Sequence, residues 1–131
     1  MPAMKLLLDT HALLWWWTAD RRLSAKAQRA IRDEGNEVFV SAASAWEVAI
    51  KQRLGKLEEV PEAAARFAEL VRADGFTPLP MQQRHALRAG GYASEHRDPF
   101  DRMLAAQAEL EALLLVTADP ALAAFPGPRY W

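Results

Sequence analysis

Lys5-Leu6-Leu7-Leu8-Asp9-Thr10-His11 is the stretch that decides the fold. Its leucine run has the length of a short strand and stops abruptly at a carboxylate. An aspartate inside such a strand would be buried at high cost, so Asp9 marks the strand's end. In an open α/β sheet, ligands bind just beyond the carboxyl ends of the strands, which puts Asp9 at the mouth of a site. The same residue also suits the N-cap of a helix starting near His11. Carboxylates at equivalent places downstream would decide between the two roles.

Outward from that stretch, strand follows helix repeatedly. The first strand covers about Met4 to Leu8, and a helix runs from near His11 through Trp17. Its adjacent Trp15, Trp16 and Trp17 fan over roughly 200°, because a helix turns about 100° per residue. They cannot all enter one core, and they offer either a partner surface or rings partly covered by a loop. Ser24 caps a helix to about Asp33 with Ala27, Ala30 and Ile31 inward, broken at Gly35-Asn36. Glu37 to Val40 is a second strand. The next helix starts between Ser41 and Ser44 and runs to about Lys56, with Trp46, Ala49, Ile50 and Leu54 at core spacing. Pro61 opens a helix with an Ala64, Phe67, Leu70 and Val71 stripe, stopped by Gly75. Phe76 to Leu79 is a short strand that Pro78 assigns to an edge. Met81 to Ala89 is helical and ends at Gly90-Gly91. Pro99 to Leu110 is a helix, Leu113 to Thr117 a fourth strand, Pro120 to Ala124 a helical turn, and Arg129 to Trp131 a final edge strand. This alternation implies a mostly parallel sheet flanked by helices on both faces.

The chain has 131 residues, enough for one domain with its own core over residues 1–131. Its net charge of −1 gives no strongly basic nucleic-acid footprint, although clustered acids would mask basic residues in that sum. There is no cysteine, hence no disulfide framework and no thiolate metal site. Asp9 and His11 interrupt the apolar start, so it does not read as a signal peptide, and no run suits a membrane span. A cytoplasmic protein is the expectation.

Four acids fall at matching places. Asp9 ends the first strand, Glu47 lies early in the helix after the second, Asp101 sits in the first turn of the Pro99 helix, and Asp119 follows the fourth strand. In a parallel sheet all face one edge, where they would repel unless a cation is bound. Hard oxygen ligands suit Mg²⁺ or Mn²⁺, one ion or two. Each acid also has a local role open to it. Ser44-Ala45-Trp46-Glu47 matches a capping box, and Glu47 can pair with Lys51. Asp98-Pro99-Phe100-Asp101 and Asp119-Pro120 match helix starts. Capping does not explain why all four reach one edge, and it does not prevent metal binding.

Leu6-Leu7-Leu8-Asp9-Thr10-His11, Ser44-Ala45-Trp46-Glu47, His96 through Ala108 and Leu115-Val116-Thr117-Ala118-Asp119 together resemble the signature of the PIN-domain family. The branch they are similar to is that of VapC-like ribonuclease toxins of type II toxin–antitoxin modules. The resemblance spans nearly the whole chain. It implies an α/β three-layer sandwich, a central sheet between helices, and a Mg²⁺- or Mn²⁺-dependent endoribonuclease that hydrolyses RNA. It also implies a small cognate antitoxin and a homodimer. By motif, Asp9, Glu47, Asp101 and Asp119 match the acidic metal-binding set. Thr117 matches the hydroxyl residue that accompanies the last acid, and Thr10 is placed to hold Asp9 by a hydrogen bond. Asp98 is an additional acid that only part of the family shares, and helix geometry favours Asp101 as the ligand with Asp98 as the cap.

His11 and His96 flank the acids and are open to substrate contact, proton transfer or a structural role. Arg97 and Arg102 lie beside the site, while Arg53 and Lys56 offer a basic rim for phosphates. His85 carries no signal. A phosphatase that forms an aspartyl-phosphate also has a strand ending in Asp-Thr, but it needs an acid where this chain has His11. A PIN-like module that binds RNA or a partner without cutting it is the remaining alternative. The Trp15–Trp17 run is the first candidate for a partner surface and the Phe76–Leu79 region the second.

Overall fold

Leu6, Leu7 and Leu8 are each 0% exposed, which only a strand covered on both faces allows. They form β1 (Lys5–Leu8) in a computed structural model of the protein that describes residues 3–131. The chain continues through α1 (Thr10–Thr18), α2 (Ala25–Arg32), β2 (Glu37–Ser41), α3 (Ala42–Arg53), α4 (Phe67–Ala73) and β3 (Thr77–Leu79). It closes with α5 (Gln83–Gly91), α6 (Pro99–Leu110), β4 (Leu114–Val116), a 3-10 turn at Pro120–Ala124, and β5 (Arg129–Tyr130). All strand pairings are parallel, in the order β3-β2-β1-β4-β5.

Side chains alternate across a strand, and β1 feeds two cores accordingly. Leu6 and Leu8 join Ala12 and Leu13 of α1 and Ala27, Ala30 and Ile31 of α2. Leu7 points the other way, to Ala89 of α5 and Leu104, Ala105 and Ala108 of α6. A smaller cluster of Leu14, Val48 and Ala63 seats the segment after α3. The expected sandwich, with helices on both faces of a parallel sheet and Pro78 on an edge strand, is the observed one.

Two helices depart from expectation. α3 is capped by Ser41, whose Oγ accepts the Ala43 N–H at 2.9 Å, so no capping box forms at Ser44. Its buried face is Ala43, Ser44 and Val48, while Trp46 is 56% and Leu54 52% exposed. Small residues let α3 approach its neighbours closely, and the larger apolar stripe is turned outward. Pro61 does not open a helix either, since α4 begins at Phe67. Gln52 holds the intervening turns: its Nε2 donates to the Pro61 carbonyl and its Oε1 accepts the Ala64 N–H at 2.7 Å. Those backbone groups are thereby withdrawn from an α-helical ladder.

The three tryptophans are half-buried, and each has a partner within the chain. Trp15 stacks on His11 with centroids 5.6 Å apart, Trp16 packs against Phe76, and Trp17 meets Phe67 while its indole N–H donates to Asp74 at 3.0 Å.

Candidate active site

Between β1 and β4 the strand order reverses direction, and the carboxyl ends of that pair carry the acids. Asp9 follows β1 and remains in the ladder, its N–H donating to the Val116 carbonyl at 3.1 Å. Its extended backbone makes it the N-cap of α1, with Oδ1 accepting the Ala12 N–H at 2.7 Å. Capping therefore occupies one oxygen and leaves the second for other work. Asp9 is only 5% exposed, and burial pushes its carboxyl up to about 6. Hydrogen bonds from the Thr117 hydroxyl and the Ala12 amide, with the nearby charge of His11, oppose that rise; the charge of Asp101 adds to it.

Thr117 is buried just beyond β4, and its Oγ1 also accepts the Asp119 N–H at 3.0 Å. That hydroxyl also neighbours the Asp9 carboxyl. Asp119 caps the 3-10 turn through the Ala121 N–H at 2.9 Å.

Asp101 lies in the first turn of α6, and Asp98 is the N-cap, its Oδ1 accepting the N–H groups of Phe100 and Asp101 at 2.9 and 3.1 Å. Asp98 thus takes the cap position expected of it, and Asp101 keeps its carboxylate out of the cap. Burial raises the Asp101 carboxyl, the charges of Asp98 and Asp119 raise it further, and His96 pulls it down. His96 Nε2 meets Asp101 Oδ2 at 2.9 Å, so this histidine orients an acid of the site.

Asp9, Asp101 and Asp119 accordingly feel one another's charge, Asp9 through Asp101 and Asp101 through Asp119. Glu47 is placed differently: it lies one turn into α3 and faces Lys51, with Nζ to Oε2 at 4.0 Å. Among the described residues, no three histidine or acidic side chains are gathered closely enough to hold a metal ion together. Buried Asp9 with the more open Asp101 and Asp119 fits Mg²⁺ or Mn²⁺ nonetheless, because such ions keep several waters and take only one or two carboxylates plus substrate phosphates.

Two accessory expectations need correction. Thr10 does not hold Asp9; its hydroxyl meets Ser44 Oγ at 3.0 Å in the buried contact between α1 and α3, and Thr117 serves Asp9 instead. Arg102, expected beside the site as an accessory residue, is committed to backbone carbonyls instead. Its guanidinium donates to the carbonyls of Ala89, Tyr92, Ser94 and His96 at 2.6 to 3.0 Å and so clamps the segment that carries His96. Arg97 is exposed beside Pro99 and Phe100, and Arg53 and Lys56 are also exposed.

Sequence reasoning passed over Ser41 and Gln107. Ser41 Oγ donates to Gln107 Oε1 at 2.5 Å, and Gln107 Nε2 donates to the Pro80 carbonyl at 3.1 Å, locking α3, α6 and the end of β3 together beneath the site. The signal available was a glutamine within an otherwise apolar helix face, Leu104-Ala105-Ala106-Gln107-Ala108, where a polar side chain needs a buried partner.

A family model described as the PIN domain matches residues 6–128. Ribonuclease VapC22 of Mycobacterium tuberculosis is 34% identical over 127 residues, covering 95% of this chain and 94% of that protein. Among solved structures, a toxin-antitoxin complex from Klebsiella pneumoniae superposes with a TM-score of 0.66 at 21% identity, covering 95% of this chain and 96% of that one. VapBC2 from Rickettsia felis, bound to a DNA fragment from its promoter, gives 0.68 at 14% identity and covers 96% of both chains. The structures speak for the fold, the family model and the relative for kinship along nearly the whole chain, and the chain belongs to the PIN-domain family.

Proposed function

We propose that the protein is an endoribonuclease, the toxin of a type II toxin–antitoxin pair, hydrolysing RNA phosphodiester bonds with a divalent cation held by its aspartates. The observation that carries this reading is the placement of Asp9 and Asp119 just beyond β1 and β4 at the sheet's switch point, with Asp101 in the first turn of α6 near enough for its charge to act on Asp9. Kinship with a VapC ribonuclease along nearly the full chain supplies the substrate class. Asp9, Asp101 and Asp119 would hold Mg²⁺ or Mn²⁺, with Glu47 completing the set when it leaves Lys51. A bound ion of this class lowers the pKa of a water and offsets the charge that develops on the departing oxygen.

The chain's own groups do the positioning. Thr117 fixes the backbone at Asp119, the Ala12 N–H holds Asp9, and the Asp98 cap fixes the start of α6 and hence Asp101. His96 orients the Asp101 carboxylate and is the nearest group able to pass a proton at Oδ2.

The partners in this reading are RNA, a small cognate antitoxin and a second copy of the chain. Support for the antitoxin comes from the toxin-antitoxin and VapBC2 complexes among the structural neighbours. The outward face of α3, where exposed Trp46 sits edge-on to Phe100 at 5.0 Å, favours pairing of two copies there over pairing through the Trp15–Trp17 run. Among the described residues, no helix is long and apolar enough to cross a membrane.

The deciding experiment incubates purified protein with cellular RNA in Mg²⁺ or Mn²⁺ and maps the cuts. Asp9→Asn should lower cleavage by about 10²-fold or more while the circular dichroism spectrum is retained. Parent-level cutting by that variant, or undiminished cutting in excess chelator, overturns the metal-site assignment. A parent that binds RNA without cutting it would return the protein to the non-catalytic module.

A further inference from the structure

Beside the aspartates lies a second feature that the phosphodiester chemistry leaves unused. A cavity of about 390 Å³ opens between α1 and the segment after α3, lined by His11, Trp15, Arg22, Lys51, Lys56 and Glu59 among others. Two of its lining residues adjoin residues of the site. His11 stands two residues after Asp9, and Lys51 is the residue that faces Glu47. The cavity thus shares its walls with the neighbours of Asp9 and Glu47.

The wall of the cavity is a stack. The exposed His11 imidazole lies on the Trp15 indole at 5.6 Å and 24°. The Arg22 guanidinium sits over the same indole at 5.1 Å and is held there by Asp20, with bonds of 3.1 and 2.7 Å from Nε and Nη2. The indole edge meets Trp131 at 5.9 Å. Trp15 is thus fixed from several directions, and the outer face of His11 is an oriented planar surface facing water. Lys51 and Lys56 line the same cavity together with the acidic Asp20, Glu58 and Glu59, so its wall is mixed in charge and the stack is its distinguishing feature.

A planar stacking surface, polar groups around it, and a volume in the range of small-ligand pockets are what an unpaired nucleobase needs. We infer that this cavity receives a base of the RNA adjoining the cleaved phosphate, stacked on His11 and backed by Trp15. The inference rests on the ribonuclease reading, and it makes His11 a substrate-binding residue whose aromatic plane, not its proton, is the useful property. It also implies preference for single-stranded RNA, because a base inside a duplex has no free face to present.

The test measures binding of a short labelled single-stranded RNA by fluorescence anisotropy in EDTA, and separately the kcat and KM for cleavage of the same RNA with Mg²⁺. His11→Ala should weaken binding about ten-fold and raise KM with kcat little changed, as loss of one stacked base does. His11→Phe should restore both to near the parent value, since it keeps the plane and discards the proton. Equal binding by His11→Ala and parent overturns the inference, as does a His11→Phe protein no better than His11→Ala. Lost antitoxin binding with unchanged RNA binding would assign the cavity to the protein partner and overturn it equally. A parent that binds RNA through His11 yet never cuts it defeats the nuclease reading alone. A parent that cuts RNA with His11→Ala unchanged in affinity defeats the base pocket alone.

Discussion

Arg102 commits its donors to the carbonyls of Ala89, Tyr92, Ser94 and His96, and in doing so sets the position of a side chain it never touches. Removing the guanidinium leaves partly buried carbonyls without partners and frees the His96 segment. Arg102→Met should cost about 3 kcal/mol in urea unfolding and lower kcat more than it raises KM, because Asp101 loses its orienting histidine. An unchanged urea midpoint would refute the clamp. His85 is a second residue whose environment sets its chemistry. Its Nδ1 accepts the Gln82 N–H at 3.0 Å and faces the Gln107 amide at 3.4 Å, so the neutral ring is the form that fits. Burial lowers its pKa first, and the charge of Arg84 assists; Glu111, 3.8 Å from Nε2, opposes them. A histidine with a depressed folded pKa stabilises the fold above its unfolded pKa, and that contribution is lost as pH falls through the folded value. Between pH 7.5 and 5.5 the parent should therefore lose more thermal stability than His85→Asn. Parallel losses in the two proteins would remove His85 from the account.

At the scale of elements, α3 is the instructive case. Ser41 both caps it and donates to Gln107, so Ser41→Ala removes a cap and leaves a buried carbonyl oxygen unpaired. A loss of about 2 kcal/mol in urea unfolding is expected, and a variant as stable as the parent would contradict the assignment. The same helix shows where sequence reading reached its limit. β1 was legible because an apolar run ending at a carboxylate has few alternatives, and α6 because Asp98-Pro99 marks a helix start by cap chemistry alone. For the same reason Asp9, Asp98, Asp101 and Asp119 were found where they stand. In α3 the hydrophobic stripe of Trp46, Ala49, Ile50 and Leu54 was read as core, whereas the helix buries its small residues. Periodicity identifies an apolar face; it does not say whether this chain or another molecule covers it. The turns after Pro61 were missed because a distant side chain, Gln52, satisfies their backbone. Thr10 was misplaced for a related reason: sequence proximity favoured it as the partner of Asp9, while strand pairing brought Thr117 close to Asp9 from 108 positions away, the difference between 117 and 9.

At the scale of the whole molecule, the outward face of α3 and the neighbouring helices exposes Trp46, with Met81 and Met103 lining the same shallow cavity. A large exposed aromatic among apolar neighbours is a frequent mark of a protein interface. Trp46→Glu should convert a dimeric parent to a monomer by sedimentation or light scattering, with thermal stability of the monomer little changed. A variant that stays dimeric would move the interface elsewhere. The aspartates themselves carry a different consequence. Asp9 comes from the first strand, and Thr117 and Asp119 follow the fourth, so no contiguous piece of the chain contains the site. Contacts so distant in sequence form only once the intervening elements are in place. A ribosome partway through this message therefore holds a chain that is harmless to RNA: the cell's exposure to the nuclease begins at the moment of folding.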